Sequence, residues 1–194
     1  MGDNMKKVIR KQLENKNKKI LANYNWIFKI TLISFIISII FSMLSETIIP
    51  NVNIIIGIIV LIAFIVLGIV FDIIGVAVTA ASISPFNSMN SRKIKGADIA
   101  VKLKQNAAQV SSFCNDVIGD ICGVISGGAG SIIALKLSGI FNINSFYILL
   151  ITASLISALT IGGKALGKSY AMNKSNKILY KFAKTISYFY KIKK

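Results

Sequence analysis

From position 54 to position 70 the chain carries no polar side chain, and beyond Asp72 apolar residues continue through Val78. A helix rising about 1.5 Å per residue needs about 20 residues to cross the hydrocarbon of a bilayer. Inside lipid a backbone has no water to bond to and must satisfy itself, so a run of this kind folds as a helix. Runs at 26–49, 113–137 and 145–163 repeat the pattern. The fold class expected is all-α: a polytopic membrane helical bundle of four spans, with juxtamembrane and C-terminal amphipathic helices. With 54% of 194 residues hydrophobic and a mean hydropathy of +0.69, the composition agrees.

Twenty-three Lys and Arg against seven Asp and Glu give a net charge of +16. In a soluble protein that balance points to nucleic acid. Here the charge flanks apolar spans, so the partner expected is a bilayer with anionic headgroups, not nucleic acid. There is no histidine, and Cys114 and Cys122 lie eight apart in an apolar run without a CxxC pattern, so neither a zinc site nor a disulfide framework is expected. No nucleophile with a base and no phosphate-cradling loop is evident, which argues against an enzyme.

Positions 1–25, with Lys6, Lys7, Arg10, Lys11, Lys16, Lys18 and Lys19, read as a basic cytoplasmic tail. The run at 26–49 ends without a small-x-small cleavage pattern, so it reads as a retained first span and not a signal peptide. Pro50, Asn51, Val52 and Asn53 predict a turn, and Ser84-Pro85 predicts the end of the second helix. Segment 84–112 turns polar and basic, but Ile99, Ala100, Leu103, Ala107 and Val110 recur at helical spacing, as expected of a helix lying in the interface. The four-span domain is placed at 26–168. At 169–194 a basic amphipathic helix follows, with Ile178, Leu179, Phe182, Ala183 and Ile186 on one side. Basic residues number seven in 1–25, five in 84–112 and nine in 164–194, while the loops at 50–53 and 138–144 carry none. The positive-inside rule then puts both termini in the cytoplasm of a multi-pass cell-membrane protein.

This topology brings Asp72, Asp116, Asp120 and Lys164 to one depth near the cytoplasmic face. A carboxylate inside a bilayer costs about 2.5–3.5 kcal/mol on insertion scales and usually faces protein, water or an ion. Asp116 and Asp120, four apart, share a helical face, which together with the glycine row beside it is expected to turn inward in a helix packed in the middle of the bundle. Gly119, Gly123 and Gly127 form a parallel row of small residues that favours close helix packing and association into a homo-oligomer, a dimer in the first instance. Two readings follow: an ion-pair cluster in which Lys164 neutralises an aspartate, or a metal site in which Asp72, Asn115, Asp116 and Asp120 offer the oxygen ligands that magnesium or calcium prefers.

The order of a span broken after Phe71, a basic juxtamembrane segment, a span opening with Asn115 and a last span ending in Gly163-Lys164-Ala165-Leu166-Gly167-Lys168 resembles the transmembrane domain of the CNNM/CorB-type magnesium transporters. The resemblance covers about 54–180. The family's F-S-G-S-E-T-A motif falls on Phe71-Asp72-Ile73-Ile74-Gly75-Val76-Ala77, which puts Ile74 at the metal-binding serine and Gly75 at the glutamate. Of the paired asparagines Asn115 is retained and Gly119 stands at the other. At G-E-I-x-P-K, Lys164 replaces the glutamate and Gly167 the proline. The resemblance implies the fold, a divalent-cation transport activity and Mg2+ as the bound ion, in a divergent member without the family's CBS domains. A non-transporting scaffold, subunit or immunity-type protein with an ion-paired core is the competing expectation, and a holin-like pore former the third.

Overall fold

A computed structural model describes residues 2–189, with side chains from 24 to 189, and among these residues every regular element is a helix. The first two are α1, Gly2–Asn51, and α2, Ile54–Ala80. Three short helices come next: α3, Ser84–Ser91, α4, Ala97–Gln105, and α5, Ala107–Ser112. A π-helical segment, Phe113–Gly119, runs from α5 into α6, Asp120–Phe141. Then come α7, Ser145–Asn173, and α8, Ser175–Phe189. Four helices are long and apolar enough to cross a membrane: Tyr24–Asn51, Ile54–Ala80, Ala107–Phe141 and Ser145–Asn173.

The chain divides into two compact units, one ending at Ile39 and one beginning at Ile40. The first is helical from Gly2. In the second, α2, α6 and α7 pack on one another as the central trio. Two cores form there. At one end Ile49, Leu61, Ile65, Ala129, Ile133 and Ile156 are buried together. At the other, the end of α2 meets α3, α4 and α8 through Val78, Ala81, Phe86, Ile99, Ala100, Leu179 and Ala183. This second end carries most of the positive charge of the described side chains, so it is called the basic end below.

Several boundaries differ from the sequence expectation, each for a local reason. Proline forfeits only one hydrogen bond in a last helical turn, and α1 runs through Pro50 to Asn51. Ser84-Pro85 opens α3 instead of closing α2, because proline at the first turn has no intrahelical partner to lose. Segment 84–112 is not one interfacial helix but three, broken at Asn106 and at the turn ending in Gly96, whose φ of +85° is left-handed. A Cβ there would also approach the Lys184 backbone to 3.0 Å, so this turn needs glycine twice over. The fourth span continues to Asn173, ten residues beyond position 163, because nothing between Lys164 and Asn173 interrupts the helix.

Candidate functional site

The polar groups gather where α2, the π-helical segment and α7 meet. Asp72 is 3% exposed among apolar neighbours, since the α2 face carrying Gly68, Asp72 and Gly75 is the one that packs inward. Its Oδ2 accepts no hydrogen bond, and the nearest cation is the Lys168 ammonium of α7 at 3.9 Å. Gly75, one turn further along, leaves room for Asn115: the Asn115 side chain fills the space where a Cβ on Gly75 would stand. The Asn115 Nδ2 donates to Ser111 Oγ at 3.4 Å, while its Oδ1 is buried without a partner. Two orphaned oxygens thus occur at the contact between α2 and the π-helical segment. Buried polar groups are normally bonded, and each exception costs about 1–3 kcal/mol.

The second lysine of α7, Lys164, pairs with Asp120 at 3.5 Å, as one of the two readings of the acidic cluster anticipates. Its ammonium also lies 3.6 Å from the position of a Cβ on Gly119. Gly119 in turn packs against Gly68, whose own Cβ position is 3.4 Å from the Gly119 carbonyl oxygen. Two glycines therefore let α2 and the π-helical turn touch, and Lys164 lies beside that contact. Such π-helical turns, with i→i+5 hydrogen bonds, are rare and concentrate at functional positions.

Two expectations need correcting. Asp116 and Asp120 do not face the bundle: both are exposed, Asp116 accepting a 2.6 Å hydrogen bond from Ser112 Oγ and Asp120 reaching Lys164. Among the described residues no three acid, cysteine or histidine side chains converge as a group that would hold a metal ion. Nor does the Gly119, Gly123, Gly127 row as a whole pack inside the chain. Gly119 is buried, but nothing lies within 4 Å of a Cβ on Gly123 or Gly127. The buried row is the neighbouring one, Cys122, Ser126, Gly130 and Ala134, where small residues also recur every four. It sits between Ile121, Ile125 and Ile133, so one face of α6 offers bulk and hollows together.

The tight glycines elsewhere are Gly163 and Gly167 on α7, whose Cβ positions collide with Ile69 and Ile73 of α2, and Gly130, which meets Ile156. Gly163 and Gly167 are spaced by four, the packing signal that the sequence carries on α7. Gly163→Leu is therefore expected to cost about 1–3 kcal/mol by overpacking. Gly123→Leu, which opens onto a groove of about 250 Å3 between α6 and α7, is expected to stay within about 1 kcal/mol of the parent. Denaturant unfolding in micelles compares the two; equal costs would place the packed face wrongly.

Lysine is the other element that sequence reasoning undervalued. Lys136, within the apolar length of α6, donates to the carbonyls of Ile49, Pro50 and Val52 at 2.9, 2.8 and 2.9 Å. Lys104 of α4 does the same for the end of α2, donating to Val78 and Thr79 carbonyls at 3.2 and 2.7 Å. The last carbonyls of a helix have no intrahelical donor and carry the negative end of its dipole, so an ammonium is a fitting cap.

Fold and site together define a multi-pass helical bundle with a lysine-paired polar junction at its basic end. No protein-family model, curated protein or solved structure matches the chain.

Proposed function

We propose that this is a non-transporting integral membrane protein, a scaffold or subunit acting through helix packing, in which two lysine ammoniums hold the place a mobile cation would take. The observation that carries the reading is the pairing of both α7 lysines: Lys164 with Asp120 at 3.5 Å and Lys168 with Asp72 at 3.9 Å. A tethered cation competes with a divalent ion for the same carboxylates. The basic end, bearing Arg92, Lys93, Lys95, Lys174, Lys177, Lys181 and Lys184, faces the cytoplasm by the positive-inside rule, and anionic headgroups supply its counter-charge.

A specific observation favours a second reading, divalent-cation binding of the CNNM/CorB type: Asp72 Oδ2 and Asn115 Oδ1 are buried hard oxygens that accept no hydrogen bond. Asp72 and Asn115 would then hold Mg2+, with Asp116 and Asp120 contributing only after a rearrangement that turns them inward.

Titrating magnesium, calcium and manganese against thermal stability of the purified protein separates the readings. With the lysines in place, millimolar metal is expected to leave the unfolding temperature unchanged. Lys164→Glu puts an uncompensated carboxylate beside Asp120 and is expected to lower stability and to create a metal response. A metal-dependent rise in the parent chain that Asp72→Asn abolishes would establish the cation reading instead.

A further inference from the structure

Beside the polar junction, on the outer side of the basic end, a groove of about 290 Å3 lies between α2, the α5 and π-helical stretch, α4 and α8. Its walls are Phe71, Leu103, Val110, Phe113, Phe182 and Ile186, and Gln109 and Cys114 also line it. No polar surface lines it, so nothing there would hold water. A cavity of this size has room for several water molecules, yet apolar cavities without hydrogen-bond partners do not keep them. Two of its walls, Phe71 and Phe113, belong to the apolar helices Ile54–Ala80 and Ala107–Phe141. A groove walled by such helices is expected to open to hydrocarbon.

The helices that wall the groove carry a surplus of charge of one sign. Leu103 lies between Lys102 and Lys104 in the sequence, and Phe182 follows Lys181. Lys104 is engaged at the end of α2, but Lys102 and Lys181 are exposed and neither is ion-paired among the described residues. Across 84–116 and 168–189 there are ten Lys and Arg, and the acids are Asp98 in α4 and Asp116 on the π-helical segment. A carbon-lined slot between helices with this surplus of unpaired lysines matches an amphiphile with one or two hydrocarbon chains and an anionic head. A second copy of this chain would bring the same surplus of positive charge to the contact.

We propose that the groove is a seat for one acyl chain of an anionic phospholipid, whose phosphate lies at the level of Lys102 and Lys181. This goes beyond a general attraction of the basic end to the bilayer, because it places one chain in one slot. It stands independently of whether the polar junction binds a cation.

The test uses the whole protein in phosphatidylcholine nanodiscs doped with phosphatidylglycerol or phosphatidylcholine carrying a photoactivatable diazirine in the acyl chain. Labelled peptides are then mapped. The phosphatidylglycerol probe is expected to label residues within 103–113 and 182–186 well above the phosphatidylcholine probe. Each of Lys102→Gln and Lys181→Gln should reduce that preference by roughly fivefold, as about 1 kcal/mol per lysine near an anionic surface implies. Val110→Trp, which fills the slot, should remove groove labelling by both probes while Leu155 and Leu159 on the exposed face of α7 stay labelled, a control that the variant is folded and inserted. Equal labelling by the two probes overturns the proposal, and this arm needs no variant. An unlabelled groove also overturns it, as does an unlabelled groove accompanied by cross-links between two copies at Val110 or Phe182, which would mark the slot as a subunit contact.

Discussion

Lys136→Met is expected to lower the unfolding free energy by about 2–4 kcal/mol, because one ammonium serves three backbone carbonyls that no other described group reaches. Each hydrogen bond to a charged donor is worth about 1.5–3 kcal/mol, but the three share one charge and the side chain is half-buried, so the sum is discounted. Methionine keeps the length and apolar stem of lysine, which confines the loss to the ammonium. The effect is local in origin. Ile49 and Pro50 lie in the last turn of α1, Val52 follows it, and α2 starts two residues after Val52. Freed carbonyls there weaken the turn and the burial of Ile49 in the core it shares with Ile133. Lys177→Met, on the exposed face of α8, is the comparison and should shift stability by less than about 0.5 kcal/mol. Unfolding in mixed micelles measures both; parity between them would mean that water caps α1 as well as Lys136 does.

Much of the architecture was legible because the signals are long. A run with no polar side chain from 54 to 70 admits one reading, and the count and order of spans follow from four such runs. The amphipathic α8 was legible for the same reason: Leu179 and Ala183 recur at helical spacing, and both are fully buried. What failed was the choice between faces. On α6 two rows of small residues run in parallel, Gly119 to Ser131 and Cys122 to Ala134, and the more glycine-rich one is open from Gly123 onward. A signal was present: the open row adjoins Asp116 and Asp120, while the buried one adjoins Ile121, Ile125 and Ile133. Burial follows bulk flanking the hollow, not the hollow alone. Of the polar junction, Asp72 as an inward carboxylate, Asn115 near it and Lys164 on an aspartate were all readable from depth. The partner of Asp72 was not, because Lys168 lies 96 residues away and only the angle of α7 against α2, set by Gly163 and Gly167, brings it within reach. Lys136 escaped for another reason. Its partners are backbone carbonyls, which have no letter in a sequence.

Removing the cation opposite Asp72 should cost more than removing Asp72 itself. In Lys168→Met the carboxylate stays, 3% exposed and with Oδ2 unbonded, while its nearest opposite charge is gone. Losing one partner of a fully buried pair costs about 3–5 kcal/mol, and with the Lys168 side chain 52% exposed the expected loss is nearer 2–3 kcal/mol. Asp72→Leu takes away the carboxylate and its desolvation cost together. Replacing buried ionic groups by apolar ones of similar size is often neutral or better, so this variant should stay within about 1 kcal/mol of the parent. The Asp72→Leu, Lys168→Met double variant should then resemble Asp72→Leu, and the cycle should show a coupling of about 2 kcal/mol. Equilibrium unfolding of the four proteins in one micelle composition, without added divalent ions, provides the cycle. A neutral Lys168→Met beside a costly Asp72→Leu would reverse the inference: the carboxylate would then be held by something other than Lys168. The orphaned oxygens of Asp72 and Asn115 would become the place to look for a bound cation, since hard oxygens left unbonded by the protein are what such an ion needs.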